Sequence, residues 1–124
     1  MGITARSAEE RNEALEAANR ARADRSAAMS WVYESVRGGD AVTLRDVIER
    51  YGFEPWFART KVERLVRAVP GFGTKRAPKV MEGLGIHRSR RLGGITDGQE
   101  ERLMAWFDEA SREAAGKARE HDAR

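Results

Sequence analysis

Between Pro70 and Ile95 the chain carries six cations, Lys75, Arg76, Lys79, Arg88, Arg90 and Arg91, against the single acid Glu82. Immediately before them stands Val69-Pro70-Gly71-Phe72-Gly73-Thr74. Proline lacks an amide hydrogen and ends a helix, whereas glycine accepts positive φ and lets another backbone come close. The expected product is a tight turn with Phe72 pointing back into the core. The amides of the turn and of the next helix's first residues then face outward together as an anion-binding nest. Lys75, Arg76 and Lys79 are expected at the start of that helix, where cations oppose the helix dipole. That choice makes sense if a polyanion is the partner. Arg90-Arg91 and the neighbouring Arg88 and Ser89 form a second candidate contact, because a guanidinium can take a phosphate bidentately. The candidate contact set is thus Gly71, Phe72, Gly73, Thr74, Lys75, Arg76, Lys79, Arg88, Ser89, Arg90 and Arg91.

Other chemistry finds little support. There is no cysteine, which removes disulfides and thiolate metal sites, and His87 and His121 are the only histidines. The carboxylate pairs Glu9-Glu10 and Glu100-Glu101 fall at helix starts, where they complement the dipole. Neither a nucleophile elbow nor a phosphate-loop signature is present. The sequence therefore predicts a binding protein, not an enzyme, with no cofactor, metal or small-molecule substrate. Met1 to Asn12 has no apolar core and does not read as a signal peptide. No apolar run approaches the ~20 residues of a membrane span. The expected compartment is the cytoplasm.

The elements that position these residues read as all-α. Ser7-Ala8-Glu9-Glu10 has capping-box form, and no Gly or Pro follows until Gly38-Gly39. One helix of ~30 residues, ~45 Å long, is expected there. Its Ala/Arg/Glu-rich first half should project, and its second half, with Met29, Val32 and Val36, should dock. Thr43 should cap a short helix over Leu44–Tyr51. Phe53, Trp56 and Phe57 should pack in a helical link, and Thr60-Lys61-Val62-Glu63 reads as another capping box. A helix from about Thr74 to Leu84 follows the turn. Leu92 and Ile95 should pin the arginine loop, and Thr96-Asp97-Gly98-Gln99 should open a last helix facing inward through Leu103, Trp106 and Phe107. The tail loses large apolar residues. The expected organisation is a helix over 1–37, a helical domain over 38–107 and an exposed extension over 108–124, with about five to six helices in all.

By charge alone the domain looks unremarkable elsewhere. Residues 1–30 hold five basic and five acidic residues, and residues 31–69 hold seven and six, so positive charge concentrates only after Pro70.

The segments Lys61-Val62…Leu65-Val66…Val69-Pro70-Gly71-Phe72-Gly73, Ala77…Met81-Glu82…Leu84-Gly85-Ile86 and Ser89-Arg90-Arg91-Leu92…Gly94 resemble the actinobacterial integration host factors. These are nucleoid-associated proteins with a helix-two-turns-helix core, related in fold to ribosomal DNA/RNA binders. The resemblance spans most of residues 8–107. It implies a monomeric all-α protein that binds double-stranded DNA with little sequence preference, bends or compacts it, and supports recombination or chromosome organisation. It carries the family's contact surface over to Arg90, Arg91, Gly71 and Gly73. Two positions depart: Gly93 stands where the family has a basic residue, and Thr74 where lysine is common. A looser grip follows, as in a divergent paralogue or a mobile-element-borne relative. The competing readings are an RNA- or ribosome-associated binder and a protein-interaction adaptor.

Overall fold

The computed structural model describes residues 7–122, so residues 1–6 of the expected N-terminal segment and 123–124 of the expected extension lie outside it. Six α-helices follow one another among the described residues: α1 (Ala8–Arg37), α2 (Leu44–Tyr51), α3 (Pro55–Ala58), α4 (Val62–Arg67), α5 (Ala77–Leu84) and α6 (Asp97–Asp122). No strand is formed among the described residues; a single antiparallel bridge joins Lys61 to Arg91.

α1 opens on the reciprocal box at Ser7 and Glu10, in which each side chain accepts the other's backbone N–H, at 3.1 and 3.3 Å. It stops at Gly38-Gly39, where the Asp40 amide folds back onto Ser35 O at 2.9 Å. Ala28, Met29, Val32 and Val36 are buried on one face, while most of the first two turns is exposed. Thr43 and Asp46 form the box that starts α2, and Thr96 and Gln99 do the same at α6. Val32, Val36, Val47, Leu65, Val66, Val69, Met81, Leu103 and Phe107 meet in one core.

Four expectations need correction. The segment after Phe107 is not an exposed extension: α6 continues along α1 and buries Ala110, Ser111 and Ala115. Small side chains allow this close approach without large apolar residues. Ser111 Oγ accepts the Val42 amide at 2.7 Å, Asp108 Oδ1 accepts the Leu44 amide at 2.8 Å, and Arg119 donates to Gly39 O at 2.6 Å. These bonds satisfy backbone groups of the α1–α2 connection that would otherwise lack partners.

Phe53 is 95% exposed and takes no part in the core that holds Trp56 and Phe57. Thr60 is not a helix cap. It is buried, its hydroxyl donates to Trp56 O at 2.9 Å, and Lys61 occupies the cap position of α4 without a side-chain bond. Finally, α5 begins at Ala77, not Thr74, and residues 74–76 are turn. Pro78 explains this: it is tolerated only in a first turn, and a helix starting at Thr74 would place it where its missing N–H and its ring conflict with the preceding turn.

Candidate nucleic-acid interface

The Gly-rich turn is built from both sides. α4 closes through Ala68, the Phe72 amide donates to Val69 O at 3.1 Å, and the Ala77 amide to Gly73 O at 3.0 Å. Gly71 has φ +95°, a conformation that side chains disfavour; Gly73 does not share it, so only the first glycine is needed for backbone reasons. The amides of Gly71, Gly73, Thr74, Lys75 and Arg76 have no hydrogen-bond partner among the described residues, which leaves a set of donors at the tip. Phe72 is half-buried and packs edge-on against Trp106, ring centroids 5.0 Å apart. Arg76 lies over its ring, with the guanidinium carbon 4.4 Å from the ring centre and Nη1 donating to Gly71 O at 3.2 Å. Arg76 therefore lies folded over the turn. Lys75 and Lys79 are exposed, as is Thr74.

The arginine loop is fastened by backbone bonds as well as by half-buried Leu92 and Ile95. The Val62 amide donates to Arg90 O at 3.0 Å, and the Leu92 amide to Thr60 O at 2.8 Å. The loop is thus stitched to the entrance of α4, an arrangement that no local pattern announced. Within it the cations separate. Arg90 is exposed and makes no side-chain bond among the described residues. Arg91 donates to Arg59 O and lines a groove on the other side. Arg88 is bound bidentately by Glu63, at 3.1 and 3.2 Å. Ser89 serves the loop itself: its amide donates to His87 Nδ1 at 3.1 Å, and its hydroxyl lies 2.7 Å from the same nitrogen.

The groove beside Arg91 is the feature that sequence reasoning missed. It is open, about 720 Å³, and runs between α1, α4 and the arginine loop to Gly73 of the turn. Six cations line it: Arg25, Arg59, Lys61, Arg64, Arg67 and Arg91. Glu34 and Glu63 are its two carboxylates. Arg25 is the deepest cation; its Nε donates to Thr60 Oγ1 at 3.0 Å and Nη2 reaches Trp56 O at 3.4 Å. Burial, then the charges of Arg64, Arg91, Arg22 and Arg59, push its proton affinity below that of an ordinary arginine. Arg64 is steadied by Ser26 Oγ at 3.0 Å. Two signals were available in the sequence: Lys61, Arg64 and Arg67 recur every third residue along α4, and Arg25 sits one turn before Met29 in the buried stripe of α1.

Gly93 also finds its reason here. A Cβ at this position would lie 2.9 Å from Ala58 Cβ and 3.2 Å from Ala58 O, so the loop packs onto α3 through the missing side chain.

Residues 39–107, which hold the helical hairpin, its turn and the basic loop, match the family model for the S13-like H2TH domain. The chain is 32% identical over 99 residues to "Integration host factor" of Streptomyces coelicolor, spanning 80% of this chain and 88% of the relative. It is 33% identical over 105 residues to the protein of the same name from Mycolicibacterium smegmatis, spanning 82% and 92%. A solved structure of sIHF bound to an 8-bp palindromic DNA superposes with TM-score 0.63 at 32% identity, over 74% of this chain and 98% of that one. The protein belongs to the actinobacterial integration host factor family.

Proposed function

We propose that this is a nucleoid-associated protein that binds double-stranded DNA as a monomer, with little sequence preference, through phosphate contacts, and that it bends or compacts the DNA it binds in support of recombination or chromosome organisation. The carrying observation is the convergence of six cations from α1, α4 and the connecting loops on a groove that ends at the amide-lined turn. Such a cluster is held together against its own repulsion, and a phosphate backbone relieves that repulsion by supplying the opposite charge. Gly71, Gly73 and the amides through Arg76 receive one stretch of backbone; Arg25, Arg64, Arg91 and their neighbours receive another. Lys75, Lys79 and Arg90 stand exposed beside these contacts and add positive charge. Phosphate contacts position a protein without reading sequence, which fits an architectural role rather than a catalytic one. The relatives' shared name and the DNA in the sIHF structure support the same reading.

The test is competition among duplex DNA, single-stranded DNA and duplex RNA at fixed salt, using the full chain. Preference for duplex DNA is expected. Equal or better competition by duplex RNA would replace this reading with that of an RNA-associated binder. End-to-end energy transfer on a labelled short duplex tests bending: shortening on saturation is expected, and an unchanged distance would remove bending from the account.

A further inference from the structure

Glu63 stands apart from the phosphate-binding logic of this surface. It sits in the first turn of α4, within the cationic groove, with its side chain only 15% exposed. Both of its oxygens are taken by Arg88, at 3.1 and 3.2 Å, while the Arg88 side chain remains 64% exposed. A structural role alone would be small. With Arg88 standing largely in solvent, screening leaves the ion pair little to add to stability, and a neutral residue would serve the first turn nearly as well.

From these positions we infer that Glu63 is a charge gate on the DNA surface: it holds Arg88 neutralised in the free protein, and a phosphate takes Arg88 over only by displacing this carboxylate. The inference rests on the DNA-binding reading above. Glu63 lies close enough to the groove cations to repel an incoming phosphate, and it occupies the one cation of the loop whose fork is already filled. It therefore lowers affinity. It also keeps a highly basic surface from gripping unrelated polyanions indiscriminately, because a ligand must bring enough phosphate to compete with a bidentate carboxylate.

Duplex binding by Glu63→Gln, Arg88→Ala and the double variant, followed by anisotropy across salt concentrations, tests this. Because the unmodified protein reaches the same Arg88–phosphate contact after displacing Glu63, Glu63→Gln should leave the salt slope essentially unchanged and tighten binding by up to about eightfold, the worth of one contact near 0.1 M salt. That gain should fall below about twofold in the Arg88→Ala background. Weaker binding by a folded Glu63→Gln would overturn the inference, since Glu63 would then be positioning Arg88 for contact. So would a full gain that persists without Arg88. A second measurement needs no variant to fold: the Arg88 Nε–Hε resonance of the unmodified protein should move as duplex is added, and an unmoved resonance at saturation overturns the exchange. Failure of every form to bind duplex at low salt would instead remove the DNA reading, and this inference with it.

Discussion

Replacing Gly93 by lysine restores the positive charge that the family resemblance leads one to expect two places beyond Arg91. On charge alone, one further phosphate contact would tighten DNA binding about eightfold near 0.1 M salt. The packing forecasts otherwise. A Cβ at Gly93 would stand 2.9 Å from Ala58 Cβ and 3.2 Å from a backbone oxygen, distances at which the loop must retreat from α3. That loop is tied to the entrance of α4 through Arg90 O and the Leu92 amide, so it does not retreat freely. Overpacking of this kind costs about 1–3 kcal/mol, which for a chain of this size lowers Tm by about 4–12 °C. Displacing the loop also moves Arg90 and Arg91, which offsets the added charge. Gly93→Lys should therefore melt earlier and bind duplex no more than about twofold tighter. Adding Ala58→Gly removes the nearer contact and should recover part of both losses. Thermal melting and anisotropy on the two variants decide the matter. An unchanged Tm with an eightfold gain would show that the site tolerates a side chain, and the explanation of Gly93 would fail.

Other substitutions follow from the same contacts. Arg90→Ala with Arg91→Ala should weaken binding to unrelated duplexes by similar factors; a change of preference among sequences without general weakening would indicate base reading. Thr60→Val removes the oxygen that holds Arg25 Nε and should cost about 1–2 kcal/mol in denaturant unfolding as well as lowering duplex affinity. Unchanged affinity there would place Arg25 outside the interface. Ser111→Ala leaves the Val42 amide buried without its acceptor, and a loss of about 1–2 kcal/mol is expected with little effect on DNA affinity. A neutral result would mean that the C-terminal half of α6 does not hold the α1–α2 connection.

Local rules carried far in this chain because its helix ends are marked by side chains that act within four residues of themselves. Ser7, Thr43 and Thr96 each bond where their spacing predicts. Thr60 fits the same pattern and behaves differently, because Trp56 O and Arg25 lie beside it and a buried hydroxyl goes to the partners that packing supplies. The aromatic-rich composition places Phe53 inside, yet the turn after Gly52 directs it outward. The want of large apolar residues predicts an exposed tail after Phe107, while a helix of small ones docks well against α1.

The candidate site divides in the same way. Gly71, Phe72 and the loop arginines were legible because they are near neighbours in the chain. The groove was not, since its cations come from Arg25, from residues 59–67 and from Arg91, positions far apart in the chain that only the fold brings together. Net charge in a window of sequence does not record which face each charge takes. Arg88 shows the converse: it counts toward the basic stretch, and Glu63, 25 residues earlier, neutralises it in space.

The claim at the centre of the account is that the turn and the groove together hold a phosphate backbone irrespective of sequence. It is tested most directly by the affinity for two unrelated duplexes measured across about 50 to 200 mM salt. With about five phosphates neutralised, the logarithmic slope should lie near −4.5 for both, so that affinity falls about 500-fold over that range. A flat response, or a slope that one duplex shows and the other lacks, would contradict it.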